Sequence, residues 1–281
     1  MPNPTQDAAG ADAALARAAA AALAASSARV VVIEHLGVRY VAKRQADRPR
    51  RLSQALFLRW LVKRLTGRTL PMRTMRLSDA ASGLAYEARR LASLAQAGVC
   101  VPRVVHQAPD FLLMEHCGET LAALLERWPL EPACAEMERL ATELGAFHRA
   151  GHWHGAAQIK NLTRRDGRTY RIDFEEDFGE FGPLPATQAL DLVLFLNSVS
   201  LVGPIAEAEA RQLLPRLAGA YFAANPDPQV RAVMVRAMPW GTALARLASP
   251  FRGLKSKGRS RKGAARVVIM ADALAAALRA P

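Results

Sequence analysis

FHRAGHWHGA, residues 147–156, is followed by Asn161 and then by Ile172-Asp173-Phe174. Glycines at 151 and 155 punctuate the stretch, and Gly151 ends the helical pattern of residues 131–150. Further on, Asp166-Gly167 separates LTRR (162–165) from RTYRIDF (168–174), a strong hairpin signal. Such a hairpin is expected to bring Asn161 and Asp173 side by side. An amide oxygen and a carboxylate that converge make a site for a hard cation. A zinc reading of His148, His152 and His154 lacks a nearby cysteine to complete the ligand set.

Outward from this stretch, the chain changes character. Toward the N-terminus, RVVVIE (29–34) and VRYVAK (38–43) are β-branched runs around Leu36-Gly37, an antiparallel hairpin that ends in Lys43. A helix is expected from Ser78-Asp79 to Gln96, then a short apolar strand, FLLMEH (111–116), broken by Gly118. After Thr187 the patterns are helical, roughly 187–200, 205–224, 228–247 and 264–279. Strands come early and helices late, so the expected class is α+β in two lobes with a boundary near Gly118. The expected divisions are 1–28, an Ala-rich flexible or weakly helical segment; 29–117, a small β-rich N-lobe with a basic insert at 48–76; and 118–281, a larger helical C-lobe with a basic loop at 246–266.

Composition bounds the partners. The chain has 281 residues, 51% of them apolar, enough for a large core. It has no uninterrupted apolar run of the ~18 residues that a membrane-spanning helix needs. Asp7 precedes the Ala-rich start where a leader would carry basic residues, so no secretory signal is expected. Cys100, Cys117 and Cys134 have no zinc-like spacing and are expected as reduced thiols, hence a cytoplasmic protein. Residues 43–76 carry a net charge of +10 and residues 246–266 a net +8, while the whole chain is +13. The basicity is therefore confined to two patches on an otherwise acidic chain, and such patches attract polyanions.

Phosphoryl transfer needs a cation on the phosphates, oxygen ligands for magnesium, and a group that orients the nucleophile. Lys43 supplies the first, and Asn161 with Asp173 the second. The whole arrangement resembles the protein-kinase-like superfamily. The nearest likeness is to the bacterial lipopolysaccharide (Kdo and heptose) kinases and to the small atypical kinase of the KEOPS complex. Their pattern L-H-x-x-G-x-x-H-G-D-x-x-x-x-N, followed by I-D-F, stands here from Phe147 to Asn161 and at Ile172-Asp173-Phe174. The resemblance, over about residues 29–200, implies a two-lobed kinase-like fold using ATP and Mg2+. It implies Lys43 on the phosphates, Glu87 as its helix partner, and Glu115 to Cys117 as the backbone segment that receives adenine. It assigns Asp191 to steadying the catalytic loop and His154 to a structural or catalytic place beside it.

The departures are as informative. No G-x-G-x-x-G precedes Lys43, which leaves Ser26-Ser27 as a candidate phosphate cover. The carboxylate expected after His154-Gly155 is Ala156, which cannot accept a proton. Glu175 or Glu176, next to Asp173, is the expected stand-in. The resulting expectation is a phosphotransferase that moves phosphate from ATP to a lipid-linked sugar such as lipopolysaccharide core at the inner face of a membrane, where basic patches meet anionic headgroups. The alternatives are a pseudokinase that binds nucleotide without turnover, and an atypical protein kinase associated with tRNA modification. Direct RNA binding is the weaker expectation, since few aromatics interleave the basic residues.

Overall fold

The computed structural model describes residues 4–45, 56, 59, 63, 69, 80–180, 182–200, 202–248 and 259–279. The expected basic insert at 48–76 lies outside the described residues apart from those isolated positions. The chain divides into two compact units. The first takes residues 1–55, 72–119 and 163–175; the second takes 56–71, 120–162 and 176–281.

The first unit is built on a four-stranded antiparallel sheet, ordered β1-β2-β4-β3. Its strands are β1 (Val30–His35), β2 (Val38–Arg44), β3 (Val104–Gln107) and β4 (Phe111–Glu115). Leu36 and Gly37 both have positive φ, 51° and 75°, the backbone of a two-residue hairpin turn whose twist matches the strands. Of the two alternatives for residues 1–28, flexible or weakly helical, the structure has the helix, α1 (Pro4–Ala24). Leu15, Ala19 and Leu23 recur every four residues and are buried against Ala42, Phe111 and Leu113 of the sheet. Each leucine so buried contributes roughly 1.5–3 kcal/mol. Arg44 fixes the end of this helix by donating to the carbonyls of Leu23 and Ser26. Helix α2 (Ala80–Gln96) and a second sheet, ordered β5-β6-β7, complete the unit. Its strands are β5 (Glu119–Thr120), β6 (Leu162–Arg165) and β7 (Arg168–Arg171).

The β6–β7 turn is Asp166-Gly167, at φ 49° and 74°, again a hairpin turn with two positive dihedrals. Residues 163–175 therefore group with the first unit, whereas the sequence reading put everything beyond Gly118 in the helical lobe. Backbone pairing explains the difference: Arg171 N–H donates to Cys100 O, and Gly118 is seated directly on the Arg164 carbonyl. A β-carbon at Gly118 would fall 1.9 Å from that oxygen, and the residue's φ is +88°, so only glycine fits.

The second unit is helical: α3 (Leu121–Leu125), α4 (Leu130–Arg149), α5 (Leu184–Val199), α6 (Glu207–Ala224), α7 (Pro228–Ala248) and α8 (Arg259–Arg279). Met137, Leu140 and Leu144 of α4 are buried, and so are Leu213, Leu217 and Tyr221 of α6, the helix it packs against. Gly145 lets the two helices approach, since a β-carbon there would meet Ala224 Cβ and Tyr221 O at 2.7 Å. Residues 259–266 are the first turns of α8, which corrects the reading of the whole 246–266 stretch as a loop; residues 249–258 lie outside the described residues. The fold is α+β, with the strands in the N-terminal part and the helices in the C-terminal part.

Candidate functional site

Strand register decides which side chains of the first unit share a surface. Lys43 lies opposite Val30 and Leu112, and Val41 lies opposite Val32 and Met114, so these six occupy one face of the sheet. The other face, with Ala42, Ile33 and Leu113, is the one α1 covers. On the Lys43 face, Val30 and Val32 remain 46% and 56% exposed. A flat apolar shelf with a lysine at its end suits a planar base carrying a charged tail.

Lys43 itself is buried and surrounded by carboxylates. Its Nζ donates to both oxygens of Glu87, at 2.9 and 2.8 Å, and to Asp173 Oδ1 at 2.5 Å. Glu175 Oε2 is 3.4 Å away. Burial would lower the ammonium's pKa, but Glu87, Asp173 and Glu175 together hold it above the ordinary lysine range. Burial pushes the Glu87 carboxyl upward, against the pull of Lys43. Arg29 joins from the first residue before β1. It donates through Nη1 to Glu175 Oε1 at 3.2 Å and through Nη2 to the other oxygen. Among the described residues, Arg29 and Lys43 thus meet three carboxylates, Glu87, Asp173 and Glu175.

Asp173 is held in the left-handed region at φ 70°, a costly conformation for a residue other than glycine. The fully buried Phe174 beside it, under the Arg90 guanidinium at 5.8 Å, anchors the chain there. Carboxylate oxygens gathered in this way are hard donors that fit a small divalent cation such as magnesium, which Asp173 would hold. Glu175 had been expected to stand in for the missing base. In the structure its carboxylate is bound by Arg29 and lies beside Lys43, the place of a counter-ion.

The segment expected to receive adenine is fastened by a residue the sequence reading passed over. Arg165 donates to His116 O at 3.0 Å, pairs with Glu115 Oε1 at 2.6 Å, and lies over the Tyr170 ring at 5.0 Å. The Glu115 side chain is thereby committed to the protein, which leaves recognition to the backbone. Burial, with the nearby Glu115 charge, pushes the Cys117 thiol up to about 12, so it stays protonated and inert.

In the second unit the stretch after α4 has a complete frame. Asp191 is fully buried on α5 and accepts from the backbone N–H groups of His154 (2.6 Å), Gly155 (2.9 Å) and Ala157 (3.3 Å). Burial alone would raise its pKa. The His148 hydrogen bond and charge outweigh this, with help from His154, and hold it below the usual carboxylate range. His148 Nε2 lies 3.4 Å from Asp191 Oδ2, and its Nδ1 is 2.7 Å from the Tyr221 hydroxyl. His154 is fully buried, and its Nδ1 accepts from Ala156 N–H at 3.2 Å, a bond that shapes the loop. Asn161 is also buried. Its Nδ2 donates to Ala156 O at 2.9 Å, which leaves the amide oxygen as the group suited to a cation. Gly155, at φ +89°, passes so close to Glu176 that a β-carbon would lie 2.9 Å from the Glu176 Cβ.

The structure thus gathers Lys43, Glu87, Asp173, Glu175, Glu115 and Cys117 in the first unit, and Asn161 and His154 in the second. Arg29, Arg165 and Tyr221 were not singled out from sequence. Arg29 alone had a local signal, an arginine at the mouth of the hairpin that ends in Lys43.

No family model matches the chain. It is 35% identical over 116 residues to the KEOPS complex subunit Bud32 of Pyrococcus abyssi. That match covers 40% of this chain and 52% of the archaeal protein, so the chain spans about half the length of the curated relative it matches. The KEOPS complex is the assembly whose small kinase the catalytic-loop pattern resembles. The similarity supports a protein-kinase-like chain and does not extend to the lipopolysaccharide kinases.

Proposed function

We propose that the chain is a kinase-like phosphotransferase that binds ATP with magnesium. The observation that carries this reading is Lys43, buried on the open valine face of the sheet and gripped by Glu87 and Asp173. In this reading Val30, Val32 and Val41 seat the base, the backbone of Glu115 to Cys117 orients it, and Lys43 positions the phosphates. Magnesium, when bound, would screen the phosphate charge, and Asp173 would hold it.

The phosphate acceptor belongs to the alternative reading, an atypical kinase attached to a larger assembly of the KEOPS kind. The curated relative is a subunit of such a complex, and the glycolipid reading has no support of that sort. Among the described residues no helix is long and apolar enough to cross a membrane. Ala156 favours a second reading, a nucleotide-binding protein without turnover, because a positioned base is worth roughly 10²- to 10⁴-fold in rate. Phosphate release from ATP separates the two. An active enzyme shows turnover that Lys43→Met abolishes, whereas a binder shows none in the parent and gains it, if at all, only in Ala156→Asp.

A further inference from the structure

Something other than a glycine-rich turn has to face the phosphates. The β1–β2 turn lies at the wrong end of its hairpin: His35 pairs with Val38 beside the turn, while Val30 pairs with Lys43 at the open end. Five residues separate Val38 from Lys43, a distance of about 17 Å along a strand. The entry to β1, where Arg29 stands, pairs beside Lys43 at that open end.

We propose that Arg29 is a second phosphate-binding cation, one that Glu175 occupies until nucleotide arrives; this rests on the nucleotide reading above. Three observations converge on it. Arg29 and Lys43 reach the same carboxylate: the guanidinium takes Glu175 Oε1 at 3.2 Å and also Oε2, and the ammonium lies 3.4 Å from Oε2. The two Glu175 oxygens therefore stand where two oxygens of a phosphate would be straddled by the same pair of cations. The guanidinium is pre-oriented, since its Nε donates to Arg44 O at 3.2 Å and the Arg29 carbonyl accepts from Arg44 N–H at 2.9 Å. A fork fixed in this way offers its two remaining nitrogens to a planar pair of oxygens. Finally, the Arg29 side chain is 34% exposed and that of Glu175 25%, so a ligand can reach both without unfolding the sheet.

The exchange needs no bond chemistry. A phosphate replaces the Glu175 carboxylate on Arg29, and the freed carboxylate turns to solvent. The Ser26 hydroxyl meanwhile accepts from Ala28 N–H at 3.0 Å, which gives the chain entering Arg29 a fixed turn. Ser26-Ser27 serves in this account as the support of the cation rather than as the phosphate cover itself.

Equilibrium binding of ATP with magnesium, and of adenosine, to the parent chain, Arg29→Gln, Arg29→Lys and Glu175→Gln tests this. Loss of a charge-assisted contact predicts that Arg29→Gln weakens ATP by about tenfold and adenosine by less than twofold. Arg29→Lys should fall between, keeping the charge without the fork. Glu175→Gln should bind ATP more tightly than the parent, because the competitor has gone. The proposal is overturned if Arg29→Gln weakens ATP and adenosine alike, or if Glu175→Gln reproduces its loss, since the pair would then be a structural staple. Should Arg29→Gln not fold, the Arg29→Lys and Glu175→Gln results decide by the same criteria. Binding of neither ATP nor adenosine by the parent would instead remove the nucleotide reading and this inference with it.

Discussion

The charge cluster around Lys43 and the loop frame around Asp191 solve opposite problems. The first is made of long side chains, Arg29, Lys43, Glu87 and Glu175, that meet only in the folded protein. The second is made almost wholly of backbone: three N–H groups converge on one buried carboxylate, and His148 and Tyr221 support it from behind. A frame held by backbone bonds does not depend on which side chain sits at its tip. That is why the loop is held by the hydrogen bonds of His154, Gly155 and Asn161 with only an alanine side chain at position 156. A side-chain cluster has no such independence, and each member's removal leaves a charge behind.

This contrast predicts a ranking of effects. The largest should come from the loop frame. Asp191→Ala strips the acceptor from three buried N–H groups and the partner from His148, so a loss of about 3–5 kcal/mol is expected in urea unfolding. Acid should act on the same group. Its folded pKa lies below the ordinary carboxylate value, so its contribution is present above that value and lost as pH falls through the folded one. The stability of the parent should therefore fall more steeply below about pH 4 than that of Asp191→Asn. Equal slopes would mean that Asp191 does not carry the frame.

Next comes the cluster. Lys43→Met leaves Glu87, 1% exposed, with a buried uncompensated charge, and should cost about 3 kcal/mol. Adding Glu87→Leu should recover most of that loss, because a buried pair replaced by apolar groups is often neutral. A double variant as unstable as the single one would break the pairing account. Tyr221→Phe is milder. It removes a hydroxyl that bonds His148 and accepts from Asn225 at 3.0 Å, and about 1 kcal/mol is expected by thermal unfolding. The smallest effect is chemical: Cys117, with its thiol pushed up to about 12, should resist alkylation at pH 8 in the folded chain and react once urea is added. Rapid labelling of the folded chain would show that the segment from Glu115 to Gly118 is not held as described.

Much of this was legible in short stretches. Leu36-Gly37 and Asp166-Gly167 marked two of the hairpins because positive φ has few residue types to choose from. The spacing from His148 to Asn161 outlined the loop because it is set by local backbone bonds. What escaped was non-local. Arg29 and Glu175 are 146 residues apart, and His148 and Tyr221 are 73 apart. No window of sequence joins them. Helix α1 was legible only as a flexible or weakly helical segment, because its buried stripe of Leu15, Ala19 and Leu23 is hidden in a run of alanines that reads as apolar on every side.

The central claim is that the Lys43–Asp173 cluster is a magnesium–nucleotide site, and calorimetric titration of ATP with and without Mg2+ into the parent and Asp173→Asn tests it most directly. The account predicts magnesium-dependent ATP binding in the parent, and in a folded Asp173→Asn variant the loss of that dependence. ATP affinity that is unaffected by Mg2+ in the parent, or equally Mg2+-dependent in both proteins, would contradict it.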